Sequence, residues 1–226
     1  MSFNWSIKKR KLNKEENEEE DSDFDTNIFT KLLKPKGTMK AVSRVNNDIY
    51  FYGSVNNTNV LDLIHTIKEC NEELTDIATK YNIKSPEIYL HLNTYGGSLF
   101  AGFAAMDAIK DNPIPIVTII EGCVASAGTL MSICGSKRYM RKNSYMLIHQ
   151  LSGGLWGKME EMEDDMLNNK ELMKRIKDIY QEFTKVPKTK LADILKHDIW
   201  WNSEVCQQYG LVDEIIDGTK FNKKLI

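Results

Sequence analysis

Residues 114–134 read IPIVTIIEGCVASAGTLMSIC, a β-branched run that gives way at Gly122 to small residues. The run is long enough to raise the question of a membrane span. Glu121 near its middle, with Gly122, Ser126, Gly128 and Ser132 after it, points instead to a buried strand over 114–120 feeding a helix over 125–134. The same order recurs on both sides. Upstream, 48–53 reads as a strand and 60–80 as a helix with apolar residues at Leu63, Ile67, Leu74 and Ile77. Residues 87–93 then alternate like a strand, and 98–111 read as a helix; downstream, 145–148 form a further strand. Repeated β–α alternation predicts an α/β fold with a mainly parallel sheet covered by helices.

Composition narrows the class. The chain has 226 residues, 42% hydrophobic and 27% charged, enough for one domain with a sizeable core. Thirty basic residues against thirty-two acidic leave no basic excess, which argues against a nucleic-acid partner. Cys70, Cys123, Cys134 and Cys206 lie far apart without a Cys-x-x-Cys pair, so separate buried thiols in a reducing compartment are expected. The first twenty residues lack the apolar stretch of a signal peptide; with no membrane span expected, the location is read as cytoplasmic. Residues 1–27 are expected to be a disordered arm. There a basic run (Lys8, Lys9, Arg10, Lys11, Lys14) precedes an acidic one from Glu15 to Asp25, and blocks of like charge bury little apolar area. The folded domain is expected over 28–226. No zinc-type spacing of His, Cys and carboxylates occurs, nor a nucleotide-binding glycine pattern, so neither metal nor cofactor is expected.

One helix stands apart. Met159, Met162, Met166, Met173, Ile176, Tyr180 and Phe183 follow each other at alternating steps of three and four, with Asn169 filling the one gap. The other faces carry Glu160, Glu161, Asp164, Asp165, Lys174, Arg175, Lys177 and Asp178. Such a narrow stripe suits a helix on its own core and helix-to-helix packing between subunits equally well.

Three polar residues carry candidate chemistry. Ser126 follows the buried strand at a helix start, where small neighbours admit a carbonyl and free N–H groups can stabilise an oxyanion; a serine there also serves simple capping. His149 closes a strand beside the turn containing Gly153 and Gly154, a placement suited to a general base. His65, His91 and His197 are weaker candidates. Asp198 can orient His149, or be an ordinary surface acid. The turn 93–98, with Gly96 and Gly97, permits either tight turning or close approach of a ligand to backbone.

In chain order, Leu92-Asn93-Thr94-Tyr95-Gly96-Gly97, Val124-Ala125-Ser126-Ala127-Gly128, Met146-Leu147-Ile148-His149-Gln150 and Tyr209-Gly210-Leu211-Val212-Asp213 resemble four segments of the ClpP family, the proteolytic subunits of the caseinolytic (Clp) protease. The resemblance covers about residues 48–216. It implies the ClpP/crotonase-like fold, stacked ββα units forming a head, with Met159–Phe183 as a protruding handle helix where rings meet. It further implies a serine endopeptidase in which Ser126 is the nucleophile, His149 the general base and Asp198 the orienting acid, with Gly97 and Ala127 supplying oxyanion N–H groups. An extended peptide substrate is expected to pair between the glycine turn, at Gly96 and Ser98, and a strand after His149, at Gln150 and Leu151. Implied partners are other copies in stacked rings and an AAA+ unfoldase delivering unfolded polypeptides. Two alternatives stand beside this: an ATPase-independent scaffold or capsid-maturation protease of viral type, and a catalytically inactive ring-forming homologue. Tyr95 and Leu151 replace family prolines, and His91 lies near the family's docking site for its ATPase, where an aromatic is common.

Overall fold

The computed structural model describes residues 40–154 and 156–217; the expected arm over 1–27 lies outside them. The elements run β1 (Val42–Val45), β2 (Asp48–Tyr52), α1 (Asn57–Tyr81), β3 (Ile88–Thr94), α2 (Leu99–Lys110), β4 (Ile116–Ala125), α3 (Ala127–Ile133), β5 (Lys137–Arg141), β6 (Tyr145–Leu147), α4 (Met159–Phe183), α5 (Lys188–Ile194), β7 (Trp201–Asn202), α6 (Ser203–Gln208) and β8 (Glu214–Ile216). The sheet order is β1-β2-β3-β4-β5-β8, with β6 on β4 and β7 on β6. Pairing is parallel apart from β1 with β2 and β6 with β7.

Strand alternation sorts the two faces of this sheet. Ile49, Phe51, Ile88, Leu90, Leu92 and Ile120 are fully buried in one core cluster with Leu63 and Ile67 of α1 and Ala101 and Ala105 of α2. In α1 the buried residues Val60, Leu63, Ile67, Cys70 and Leu74 recur at helical spacing. Asn56 caps its start by accepting a hydrogen bond from Asn59 N–H at 2.9 Å, and Asn82 ends it in the left-handed region. Small residues let α2 and α3 approach closely: a methyl group on Gly102 would lie 3.1 Å from Ala127 Cβ.

The decisive strand is longer than expected. β4 continues past Ile120 to Ala125, and α3 begins at Ala127 rather than Ala125. Gly122 explains both. Its φ of 69° bends the strand, and the register to β3 shifts between Leu92 and Thr94. The first half of β4 pairs with β5, and the second half finds a new partner in β6. Among the described residues no helix is long and apolar enough to cross a membrane. Cys70, Cys134 and Cys206 are buried thiols, while Cys123 is only half-buried.

Helix α4 has the expected bounds but buries only its C-terminal half, through Ile176, Ile179 and Tyr180. Met159 and Met166 of the stripe are exposed, as is Leu167 beside it. The stripe is therefore core-facing at one end and uncovered at the other.

The opposite sheet face holds a polar network. His91 is buried, stacked on Tyr50, with Nε2 3.0 Å from Asp48 Oδ1. Its Nδ1 lies 3.2 Å from Glu121 Oε1, within ion-pair distance. Glu121 also accepts hydrogen bonds from Tyr52 and Arg141. Burial disfavours the His91 imidazolium, but Glu121 and Asp48 outweigh it and raise the ring above its ordinary value. The facing His91 ring, with Tyr52 and Arg141, holds the Glu121 carboxyl down at about 2 against the effect of burial. Charged His91 thus stabilises the fold below its ordinary pKa of about 6.5, and that contribution is lost as pH rises through the raised value. Glu121 contributes above its ordinary value of about 4.3 and loses its contribution only as pH falls toward about 2. Denaturant midpoints should therefore fall from about pH 5 to about pH 9 in the wild type and fall less in His91→Gln. Parallel profiles for the two proteins would remove His91 from the pH dependence.

Candidate active site

The carboxyl ends of β3, β4 and β6 converge, the region where α/β sheets present their ligand sites. Ser126 follows β4 with φ 54° and ψ −129°, a conformation that costs a non-glycine residue about 1–3 kcal/mol. Flanking elements hold it there. Its N–H donates to Leu147 C=O at 2.9 Å, and its C=O accepts from Thr129 N–H at 2.9 Å and Thr129 Oγ1 at 2.6 Å. The side chain is thereby aimed at His149, whose Nε2 lies 2.8 Å from Ser126 Oγ. His149 Nδ1 lies 2.8 Å from Asp198 Oδ1. An ionised carboxylate only accepts, so Nδ1 carries the imidazole proton and Nε2 accepts from the serine hydroxyl. The three predicted residues thus form one unbroken chain.

Asp198 sits on an exposed loop, its side chain 75% accessible. Two contacts anchor that loop. Gln150 N–H donates to Leu195 C=O at 2.7 Å, and the Trp200 ring meets Tyr95 edge-on with centroids 6.1 Å apart. Tyr95 therefore ties the acid loop to the glycine turn.

The glycine turn is built against Val55. Val55 N–H donates to Gly96 C=O at 2.9 Å, and Ser98 N–H donates to Val55 C=O at 2.8 Å. Because a trans peptide is planar with C=O and N–H opposed, Gly97 N–H points away from Val55. The same rule directs Ala127 N–H away from Thr129, which holds the Ser126 carbonyl. Ala127 opens α3, where first-turn amides lack an intrahelical acceptor. Gly97 and Ala127 line one cleft of about 220 Å³ together with Ser126 and His149. Gly96 is required behind it: a Cβ there would fall 2.7 Å from Ser126 Cβ.

The substrate-side expectations fare unevenly. Ser98 lines the cleft, but its Oγ caps α2 by accepting from Ala101 N–H at 3.4 Å. Gln150 and Leu151 also line it, yet no strand forms after His149. Their amides are already engaged, Gln150 N–H by Leu195 and Leu151 N–H by Met173 Sδ at 3.0 Å. Three contributors escaped the sequence reading: Val55, Thr129 and Tyr180. Tyr180 carried a usable signal, since a phenol on an apolar stripe needs a buried partner for its hydroxyl. Val55 carried none, being an ordinary valine in a short bridge.

A family model described as Clp protease matches residues 49–219. The chain belongs to the Clp protease family. The ATP-dependent Clp protease proteolytic subunit of Deinococcus radiodurans is 32% identical over 139 residues, covering 61% of this chain and 68% of that protein. Proteolytic subunit 2 of Pseudomonas aeruginosa is 34% identical over 137 residues, covering 60% and 68%. Among solved structures, a mutant of ClpP1 from Listeria monocytogenes superposes with a TM-score of 0.67 at 22% identity, covering 77% of this chain and 94% of that one, which establishes the ClpP fold. Clp protease family membership makes this chain a serine-type peptidase. A Cβ on Gly97 would lie 2.2 Å from Val55 O, with a φ of 149° besides. Gly97→Ala should therefore cost about 1–3 kcal/mol of stability, read as a lowered urea midpoint; an unchanged midpoint would show that the Val55 bridge yields freely.

Proposed function

We propose that this chain is the serine endopeptidase subunit of a self-compartmentalising oligomer that degrades unfolded polypeptides. The observation that carries the reading is the Asp198–His149–Ser126 chain, with both links at 2.8 Å, beside two outward-facing backbone N–H groups. Ser126 Oγ attacks the scissile carbonyl while His149 Nε2 takes its proton, and the new oxyanion is held by Gly97 and Ala127 N–H. Asp198 stabilises the imidazolium and keeps its orientation. His149 then returns the proton to the leaving amine, and water hydrolyses the acyl-enzyme by the same route in reverse. The substrate lies along the outward edge of 97–98. Pairing on the other side requires Leu151 N–H to leave Met173, so binding there reorganises the segment after His149.

Assembly follows from α4. An exposed stripe of Met159, Met166 and Leu167 on a helix anchored only at its far end suits burial against other copies. Stacked rings hide the sites from folded proteins. The curated relatives are named as subunits of ATP-dependent proteases, which supports an AAA+ unfoldase as the partner that feeds this chamber.

Ser126→Ala should lose both hydrolysis of a fluorogenic peptide and labelling by a fluorophosphonate, with particle mass unchanged. Labelling that persists at full strength would strip Ser126 of its role. Asp198→Asn should keep the fold and lower kcat by up to about 10⁴, the cost of a wrong imidazole tautomer. Particle mass by light scattering tests the assembly: Met159→Glu with Met166→Glu should yield smaller species, and an unaltered mass would exclude the stripe as an interface.

A further inference from the structure

Two hydroxyls that the reaction itself does not use are buried directly behind Ser126. Thr129 is fully buried and Tyr180 is 2% exposed. Their oxygens are 2.5 Å apart, and Thr129 Oγ1 is 2.6 Å from the Ser126 carbonyl oxygen. Proton counting settles the direction of this chain. Thr129 has one hydroxyl proton and donates it to the Ser126 carbonyl, which accepts only; Thr129 Oγ1 must therefore accept from Tyr180 OH. Burial pushes the Tyr180 phenol up to about 12, so it remains a donor at neutral pH.

We propose that Tyr180 and Thr129 are positioning residues that hold the Ala127 N–H in its oxyanion-binding direction by pinning the Ser126 carbonyl. This rests on the peptidase reading above. The Ser126–Ala127 peptide is a rigid plane, so any rotation of the carbonyl swings the Ala127 N–H through the same angle. The plane is not at rest by itself, because Ser126 occupies a φ that serine seldom adopts and that persists only when neighbours over-determine it. Thr129 N–H alone gives the carbonyl one tether; the hydroxyl adds a second from another direction, and Tyr180 fixes the rotor of that hydroxyl. Packing does not require either oxygen. Phenylalanine and valine would fill the same volumes without bringing two hydroxyls into the core, where burial of polar groups is costly. Their presence is explained by what they hold.

The test compares Tyr180→Phe, Thr129→Val and the double variant with wild type. It measures kcat and KM on a fluorogenic peptide, affinity for a peptide boronate and the thermal midpoint. The boronate forms a tetrahedral adduct on Ser126 and so reports the oxyanion site. Tyr180→Phe should lower kcat roughly 2- to 12-fold, the worth of one hydrogen bond, with KM unchanged and boronate affinity weakened by the same factor. Thr129→Val should lose at least as much. The double variant leaves no orphaned hydroxyl, so its midpoint should recover while kcat stays at the level of Thr129→Val. Recovery of kcat together with the midpoint would reduce the pair to packing and overturn the proposal, as would full kcat and boronate affinity in Thr129→Val. Fluorophosphonate labelling of Ser126 in the wild type separates the two levels. Labelled wild type with an unimpaired Thr129→Val sinks the positioning role alone, whereas a wild type that neither labels nor cleaves peptide sinks the peptidase reading with it.

Discussion

The peptide plane between Ser126 and Ala127 is the constraint on which the site depends. One rigid unit carries the Ser126 side chain at one end and the outward-facing Ala127 N–H at the other, and it sits in a backbone conformation that opposes its own formation. It survives because β6 takes the N–H on one side and Thr129 takes the carbonyl on the other. The bend of β4 at Gly122 makes this possible. Without it the strand would stay beside β5, and β6 would not lie next to Ser126.

The Gly96–Gly97 peptide repeats the logic with different material. Gly96 C=O is held by Val55, so Gly97 N–H faces the cleft. Here glycine supplies the unusual backbone directly, and no side chain is needed to hold it. The two donors therefore differ in how they are secured. One relies on a short bridge to a loop before α1, the other on hydroxyls that reach in from α3 and α4. The same helix α4 that leaves its methionines uncovered at one end thus reaches the Thr129 hydroxyl behind Ser126 at the other through Tyr180.

The two faces of the sheet divide the work. Apolar residues toward the helices make the core that fixes the strand ends, whereas the opposite face concentrates Asp48, His91, Glu121 and Arg141 in a charge network. That network depends on pH by its nature, because it places an imidazole between two carboxylates. Its position on β2, β3, β4 and β5 also ties together β3 and β4, two of the three strands whose ends build the site, so the polar face is part of the scaffold rather than decoration on it.

Periodicity and residue chemistry alone determined a large share of this protein. Alternation in 87–93 and the apolar run 114–120 were sufficient for a parallel sheet, and Ser126 and His149 could be singled out because each lies at an element boundary with reactive side-chain chemistry, whereas Asp198, by itself an ordinary surface acid, was picked out only through the family resemblance. Met159–Phe183 was legible to the residue, since a long amphipathic pattern has few rival solutions. What the chain could not announce were relations between distant atoms. The extension of β4 to Ala125 required a second ladder partner, the strand expected after His149 was pre-empted by Leu195 and Met173, and the tethering of Ser126 through Thr129 to Tyr180 joins residues 51 positions apart. Local pattern encodes which conformation a segment prefers; which carbonyl a hydroxyl will meet is set only when the whole chain has packed.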